Sequence, residues 1–176
     1  NMYTAMHHLL DRFDRAGLVM HGVLLRIDGE TVAEGYWKPY AQNSKHRMFS
    51  VTKTLVALAV GALVDEGRLN LAGTAASYLP DLLPENPHPY VMQATIQDLL
   101  RMATPHDATT YTEKDAEWAK TFFHTQPTHL PGTIFAYNSP ATTVPVAGVA
   151  RNTGGTLFSF WHRNVLPNNG FDVDNP

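Results

Sequence analysis

From Met48 to Val64 the chain carries one charge, Lys53, among side chains that are apolar on nearly every side, including Leu55, Val56, Leu58, Val60 and Leu63. A helix apolar on every face is a buried one, so this segment predicts a central helix around which the rest of the chain must assemble. Asp65-Glu66-Gly67 ends it, with Gly67 as the C-terminal cap. The run falls short of the roughly 18 or more apolar residues that a membrane span requires. A length of 176 residues suits one domain with a real core or a domain plus part of another, and 44% hydrophobic with 16% charged residues is ordinary for a globular protein.

The flanks divide into recognisable pieces. Residues 4–16 place Met6, Leu9, Leu10 and Phe13 at helical spacing between charged residues, with Gly17 as the stop, which predicts an amphipathic helix. Val19 to Ile27 is apolar and β-branched, Asp28-Gly29 is a turn signal, and Thr31 to Trp37 alternates, which predicts a β-hairpin. Residues 68–131 hold many prolines and short helical patches, clearest at Ile96 to Met102, and predict a helical, loop-rich subdomain. Pro140 to Asn152 reads as a helix despite Pro145, with Gly154-Gly155 as its stop. Leu157 to Leu166 reads as a further short helix, and the stretch from Pro167 to Pro176 is turn-rich. From pattern alone the fold class is α+β, a hairpin with a helical majority.

Chemistry enters at Ser50-Val51-Thr52-Lys53. Helical positions three apart share a face, so the Ser50 hydroxyl and the Lys53 amine can meet. A serine hydroxyl is a poor nucleophile at neutral pH, and a desolvated lysine can take its proton. The helix N-terminus favours negative charge at the hydroxyl. On its own the pattern is weak, because ordinary composition yields such a match in roughly one of every two chains of this length. An N-cap serine beside a solvated lysine is the plain alternative.

Three ordered stretches change that weighting. Residues 48–80, MFSVTKTLVALAVGALVDEGRLNLAGTAASYLP, residues 95–104, TIQDLLRMAT, and residues 131–154, PGTIFAYNSPATTVPVAGVARNTG, resemble in sequence the serine β-lactamase and penicillin-binding protein superfamily. The likeness is to its class C β-lactamase, carboxylesterase and amide-oligomer hydrolase branch. It implies a β-lactamase/transpeptidase-like fold, an antiparallel sheet flanked by helices plus a helical subdomain. It also implies that Ser50 attacks an acyl carbonyl, that Lys53 assists as base, and that Tyr137 shuttles the proton to the leaving group. The backbone N–H of Ser50 would supply half of an oxyanion hole.

Two departures shape the expectation. The family's tyrosine motif usually ends in Asn, whereas Tyr137-Asn138-Ser139 ends in Ser, and a hydroxyl cannot present an amide's paired donor and acceptor to a substrate. Ser139 is thus the expected substrate-binding residue, and an ester or amide ranks ahead of a β-lactam, with D-alanyl-D-alanine peptidase activity third. The family's third motif, a Lys-Thr-Gly or His-x-Gly strand, is not met, and Asn152-Thr153-Gly154 aligns instead with a helix end. The chain is therefore expected to be an incomplete domain, residues 1–47 giving the N-terminal helix and hairpin and 48–176 the active-site helix and helical subdomain. The C-terminal strands of the sheet are missing in this reading, and a further portion of the domain or a partner chain would complete it. A noncatalytic penicillin-binding or sensor-type domain is the reading from a different class.

The remaining features exclude more than they suggest. Net charge is −3 with Lys and Arg scattered, which gives no footprint for nucleic acid. No Cys is present, which removes thiolate chemistry and disulfides. Nine histidines form no His-Glu-x-x-His or comparable spacing, so neither a metal nor another cofactor is expected. His7, His8, His124 and His129 are expected at surface positions, and His46 as a loop residue near Ser50 in sequence. Trp37, Trp118 and Trp161 are expected to pack, with Trp118 the one placed to line a cleft. The compartment stays open between bacterial periplasm or secretion and the cytoplasm, and the expected partner is a small ester, amide or peptide-like molecule.

Overall fold

The computed structural model describes residues 2–111 and 117–167, so the turn-rich end expected over Pro167 to Pro176 lies outside them except for its first residue. The chain parts between Met48 and Phe49 into two compact units. The first begins with α1 (Met2–Arg15), whose last turn carries Arg12 and Arg15 where cations offset the helix dipole. Strands β1 (Gly22–Ile27) and β2 (Glu30–Tyr36) follow as an antiparallel pair. Asp28 and Gly29 both take positive φ, 51° and 84°, the geometry that matches a two-residue turn to the twist of its strands. The hairpin starts later than the sequence predicts, since Val19 is 85% exposed and lies outside the strand.

The second unit is helical. A 3₁₀ turn over Phe49–Val51 leads into α2 (Thr52–Asp65). Short helices α3 (Ala75–Tyr78), α4 (Pro89–Gln93) and α5 (Ile96–Leu100) follow, then α6 (Trp118–His124), α7 (Ser139–Thr153) and α8 (Leu157–Phe160), which runs into a π turn at Trp161–Val165. The expected helix across Pro145 is thus present, and Gly154, at φ 66°, stops it. Asn152 and Thr153 are its last residues, the helix end that the sequence places there.

Helix α2 corrects one expectation. Its buried residues are Val56, Ala59, Val60 and Leu63, a single stripe at helical spacing, while Ala57 and Gly61 are exposed and Leu58 is 49% exposed. The sequence predicts burial all round, but in this structure only one side of the helix meets the core, packing against α7, α8 and the π turn. The indole N–H of Trp161 donates to the Leu55 carbonyl at 2.8 Å and ties that turn to α2. Gly67 acts as foreseen: at φ 68°, a conformation that costs glycine nothing, its N–H donates to the Val64 carbonyl while that of Arg68 donates to Leu63, both at 2.9 Å.

The core joins the α2 stripe to Leu79, Ile96, Leu99, Phe122, Phe123, Val144, Val149 and Phe160. Each large side chain fully buried there contributes about 1.5–3 kcal/mol relative to exposure. His106 sits at its edge, 2% exposed, with its ring edge-on to Phe122 at 5.0 Å. Nε2 donates to the Thr125 carbonyl at 3.1 Å, which makes the neutral ring an Nδ1 acceptor, and Nδ1 is buried without a hydrogen-bond partner among the described residues.

Burial pushes the His106 pKa below 6.5; the Thr125 carbonyl and Asp107 oppose this and His129 adds to it. The unfolded chain then takes up a proton that the folded chain refuses, so this contribution is complete above about pH 6.5 and is lost on acidification through that value. Thermal melts between pH 7.5 and 5 are expected to show a falling midpoint, with a His106 share no steeper than about 1.4 kcal/mol per pH unit. His106→Phe should flatten that share while lowering stability at pH 7.5.

Candidate active site

The 3₁₀ turn before α2 decides where the nucleophile candidate points. Ser50 lies in that turn and Lys53 in the first turn of α2, three positions on, a spacing that puts the two side chains on one face. The Lys53 amine donates to Ser50 Oγ at 3.1 Å. Phe49, just before the serine, has φ 44°, a left-handed conformation that is strained for a bulky residue and sets the sharp entry into the turn. The cap position of α2 is Val51, whose side chain has no acceptor for the first N–H groups of the helix.

Tyr137 arrives from 87 residues further on, and its phenol lies 2.5 Å from Ser50 Oγ. The Lys53 amine is 5.0 Å from the centre of the Tyr137 ring. One hydroxyl oxygen therefore contacts both an amine and a phenol. The Tyr137 pKa is held below the ordinary 10.0, chiefly by interaction with the Lys53 amine, then by the hydrogen bond with Ser50, with Ser139 adding a smaller effect in the same direction. Since Tyr137 is 50% exposed, these contacts act in partial solvent.

The segment carrying Tyr137 is stitched to the end of α5. Thr95 caps α5 in a reciprocal box with Asp98: the Asp98 N–H donates to Thr95 Oγ1 at 3.1 Å, and the Thr95 N–H donates to the Asp98 carboxylate at 3.1 Å. The other carboxylate oxygen of Asp98 holds Arg101 at 2.8 Å, and Arg101 reaches the Gly132 carbonyl at 3.3 Å. Gly132 takes φ 80°, and a Cβ there would stand 2.8 Å from Arg101 Nη2 and 3.0 Å from Asp98 Oδ1, so only glycine fits the turn as it stands. The Gly132 N–H donates to the Ala103 carbonyl at 2.7 Å and that of Ala136 to Met102 at 2.9 Å. The sequence motif around residues 95–104 thus builds the seat of the Tyr137 segment.

An open cleft of about 500 Å³ lies beside the serine, lined by Ser50 and Lys53 with Trp118, Ser139, Thr142 and Val146 among others. Ser139 is the first residue of α7 and faces this cleft, where the sequence places a substrate contact. Trp118 opens α6 and also lines the cleft, 37% exposed, its ring edge-on to Tyr111 at 4.6 Å, while Trp161 packs as expected. Thr142, Thr143 and Val146 were not foreseen. Their signal is the helical spacing 139, 142, 143, 146 on one face of α7. His46 meets the rings of Tyr40 and His21 at a tilt, ring centres 4.7 and 5.3 Å away, and its Nδ1 lies 3.2 Å from the Ser44 carbonyl. Among the described residues no group of three His, Asp or Glu could hold a metal ion, and no helix is long and apolar enough to cross a membrane.

Comparison with known proteins gives this geometry a family. The family model described as Beta-lactamase matches residues 5–172. A 6-aminohexanoate-dimer hydrolase of Paenarthrobacter ureafaciens is 42% identical over 53 residues, 30% of this chain and 14% of that protein. The crystal structure of a D-alanine carboxypeptidase from Burkholderia cenocepacia superposes with a TM-score of 0.72 at 20% identity, over 94% of this chain and 47% of the other. A class C β-lactamase crystal structure gives 0.75 at 15% identity, over 92% and 47%. The chain spans about half the length of those structures and shares their fold along almost all of its own. With the family model matched from residue 5 to residue 172, the chain belongs to the beta-lactamase family.

Proposed function

We propose that Ser50 is the nucleophile of an acyl-transfer reaction in which Lys53 and Tyr137 act as general bases. The observation that carries this reading is the double contact at Ser50 Oγ, with Lys53 Nζ at 3.1 Å and the Tyr137 hydroxyl at 2.5 Å. As Oγ bonds to the acyl carbon, its proton passes to the Lys53 and Tyr137 pair. Collapse of the tetrahedral intermediate expels an alcohol or amine, which takes a proton from the Tyr137 hydroxyl. Water then attacks the acyl-enzyme by the same route in reverse and frees the acid. The Ser50 N–H is the oxyanion donor that this segment contributes.

The substrate in this reading is a small ester or amide ahead of a β-lactam. Ser139 supports that order, because its single hydroxyl lines the cleft where an amide's paired donor and acceptor would grip an acylamino group. The relative named as a 6-aminohexanoate-dimer hydrolase points the same way, towards an amide.

A fluorophosphonate probe should label Ser50, as read by mass spectrometry, and Ser50→Ala should abolish the label. Lys53→Ala should slow labelling by about 10²–10⁴-fold. Absence of label on Ser50 would overturn the reading, and label without turnover of any substrate would favour a binding domain instead. Among p-nitrophenyl esters, a chromogenic cephalosporin and a D-Ala-D-Ala peptide, hydrolysis of the cephalosporin alone would reverse the proposed order.

The pH dependence has a fixed sign. Tyr137 must lose its proton to act as base, and its pKa lies below 10.0. The labelling rate should therefore rise with pH along a limb whose midpoint lies below the ordinary tyrosine value. Removing the Lys53 amine, the contact that lowers the Tyr137 pKa most, should move that limb upward in Lys53→Ala. A limb unmoved in Lys53→Ala would contradict the assignment of the limb to Tyr137.

A further inference from the structure

Tyr137 has little packing to hold it. Its ring is 50% exposed, and Ile134 and Phe135 before it are 50% and 73% exposed. The next residue is the opposite: Asn138 is 0% exposed. Asn138 is also the cap residue of α7, a position where an asparagine side chain ordinarily accepts from the first N–H groups of its own helix. Here the side chain makes no such cap, and only the backbone carbonyl serves the helix, accepting from Ala141 N–H at 3.2 Å.

The amide reaches instead across 28 residues. Its Oδ1 accepts from the Thr110 backbone N–H at 3.3 Å and lies 3.4 Å from the Thr110 hydroxyl. A backbone N–H can only donate, which fixes the oxygen as the atom facing Thr110. Nδ2 is buried with no hydrogen-bond partner among the described residues, so the acceptor is the half of the amide that the fold uses. On the other side of Tyr137 the Ala136 N–H is held by the Met102 carbonyl at 2.9 Å. The backbone of Tyr137 is thus pinned one residue before and one residue after, both times to the stretch that follows α5.

We propose that Asn138 is a positioning residue for Tyr137, its buried amide gripping Thr110 so that an exposed phenol stays within hydrogen-bond reach of Ser50. This rests on the reading of Tyr137 as a base. A misplaced base loses rate steeply, because proton transfer requires the reacting atoms at hydrogen-bond distance. Asn138 is not among the residues that line the cleft, so its effect on the base passes through the backbone it shares with Tyr137.

The test is a double-mutant cycle on the rate of Ser50 labelling by the fluorophosphonate probe. Asn138→Ala should slow labelling about tenfold or more, and should add less than about twofold in a Tyr137→Phe background, since positioning has no value once the phenol oxygen is gone. The pH limb assigned to Tyr137 should also move upward in Asn138→Ala. Where Asn138→Ala fails to fold, Thr110→Val, which removes one of the two donors facing the amide, is put through the same cycle with a smaller effect of the same sign.

An unchanged rate in the folded variant overturns the proposal, as does a loss of equal size with and without Tyr137, which is the mark of a purely structural role. If Tyr137→Phe alone leaves labelling unchanged, the assignment of Tyr137 as base has failed. If Tyr137→Phe slows labelling and the folded Asn138 or Thr110 variant does not, the positioning role has failed by itself.

Discussion

The packing of α2 against α7 is the interaction on which the rest of this structure depends. The stripe of Val56, Ala59, Val60 and Leu63 meets a helix whose buried residues include Ala141, Val144 and Val149. Ser50 and Lys53 sit at the N-terminal end of the first helix, and Tyr137 lies two residues before the start of the second. Apolar burial has no direction of its own, but fixing two helices side by side fixes what their ends present. A serine and a tyrosine 87 residues apart thereby come within 2.5 Å.

Around that helix pair the polar interactions act as local stops rather than as a source of bulk stability. The capping box at Thr95 ends one turn and starts another, and the Asp98 to Arg101 contact carries its effect to Gly132. Three of the left-handed residues fall at the same places: Phe49 before the serine, Met102 after α5, and Gly132 before the tyrosine segment. Such conformations persist where surrounding contacts overdetermine them, and here they re-aim the chain at the edges of the site.

Much of this was legible in the residues. The amphipathic period of α1, the Asp28-Gly29 turn, the stop at Gly67 and the helix crossing Pro145 all follow from local rules, and local rules hold where a segment's neighbours in sequence are its neighbours in space. Burial of α2 on every side, which its composition predicts, fails for the complementary reason. Composition reports that a face is apolar, whereas exposure of Leu58 and Ala57 depends on what packs there, and in this structure only the stripe from Val56 to Leu63 meets the core. The cleft face of α7 was missed because Thr142, Thr143 and Val146 look like any half-buried helical stripe until Trp118 and Ser50 stand opposite them.

By itself, the sequence determined that a serine and a lysine stand three apart at the head of one helix, because Ser50 and Lys53 are joined by local helical geometry that a few residues suffice to define. It also determined, through the ordered motifs around residues 48–80, 95–104 and 131–154, the family to which the chain belongs. Tertiary structure alone decided that Tyr137 reaches the same oxygen, that Asn138 gives up its own helix cap to bind Thr110, and that His106 is buried against Phe122. Those are contacts between distant segments, set by the summed packing of the helices, and no local pattern in the chain encodes them one by one.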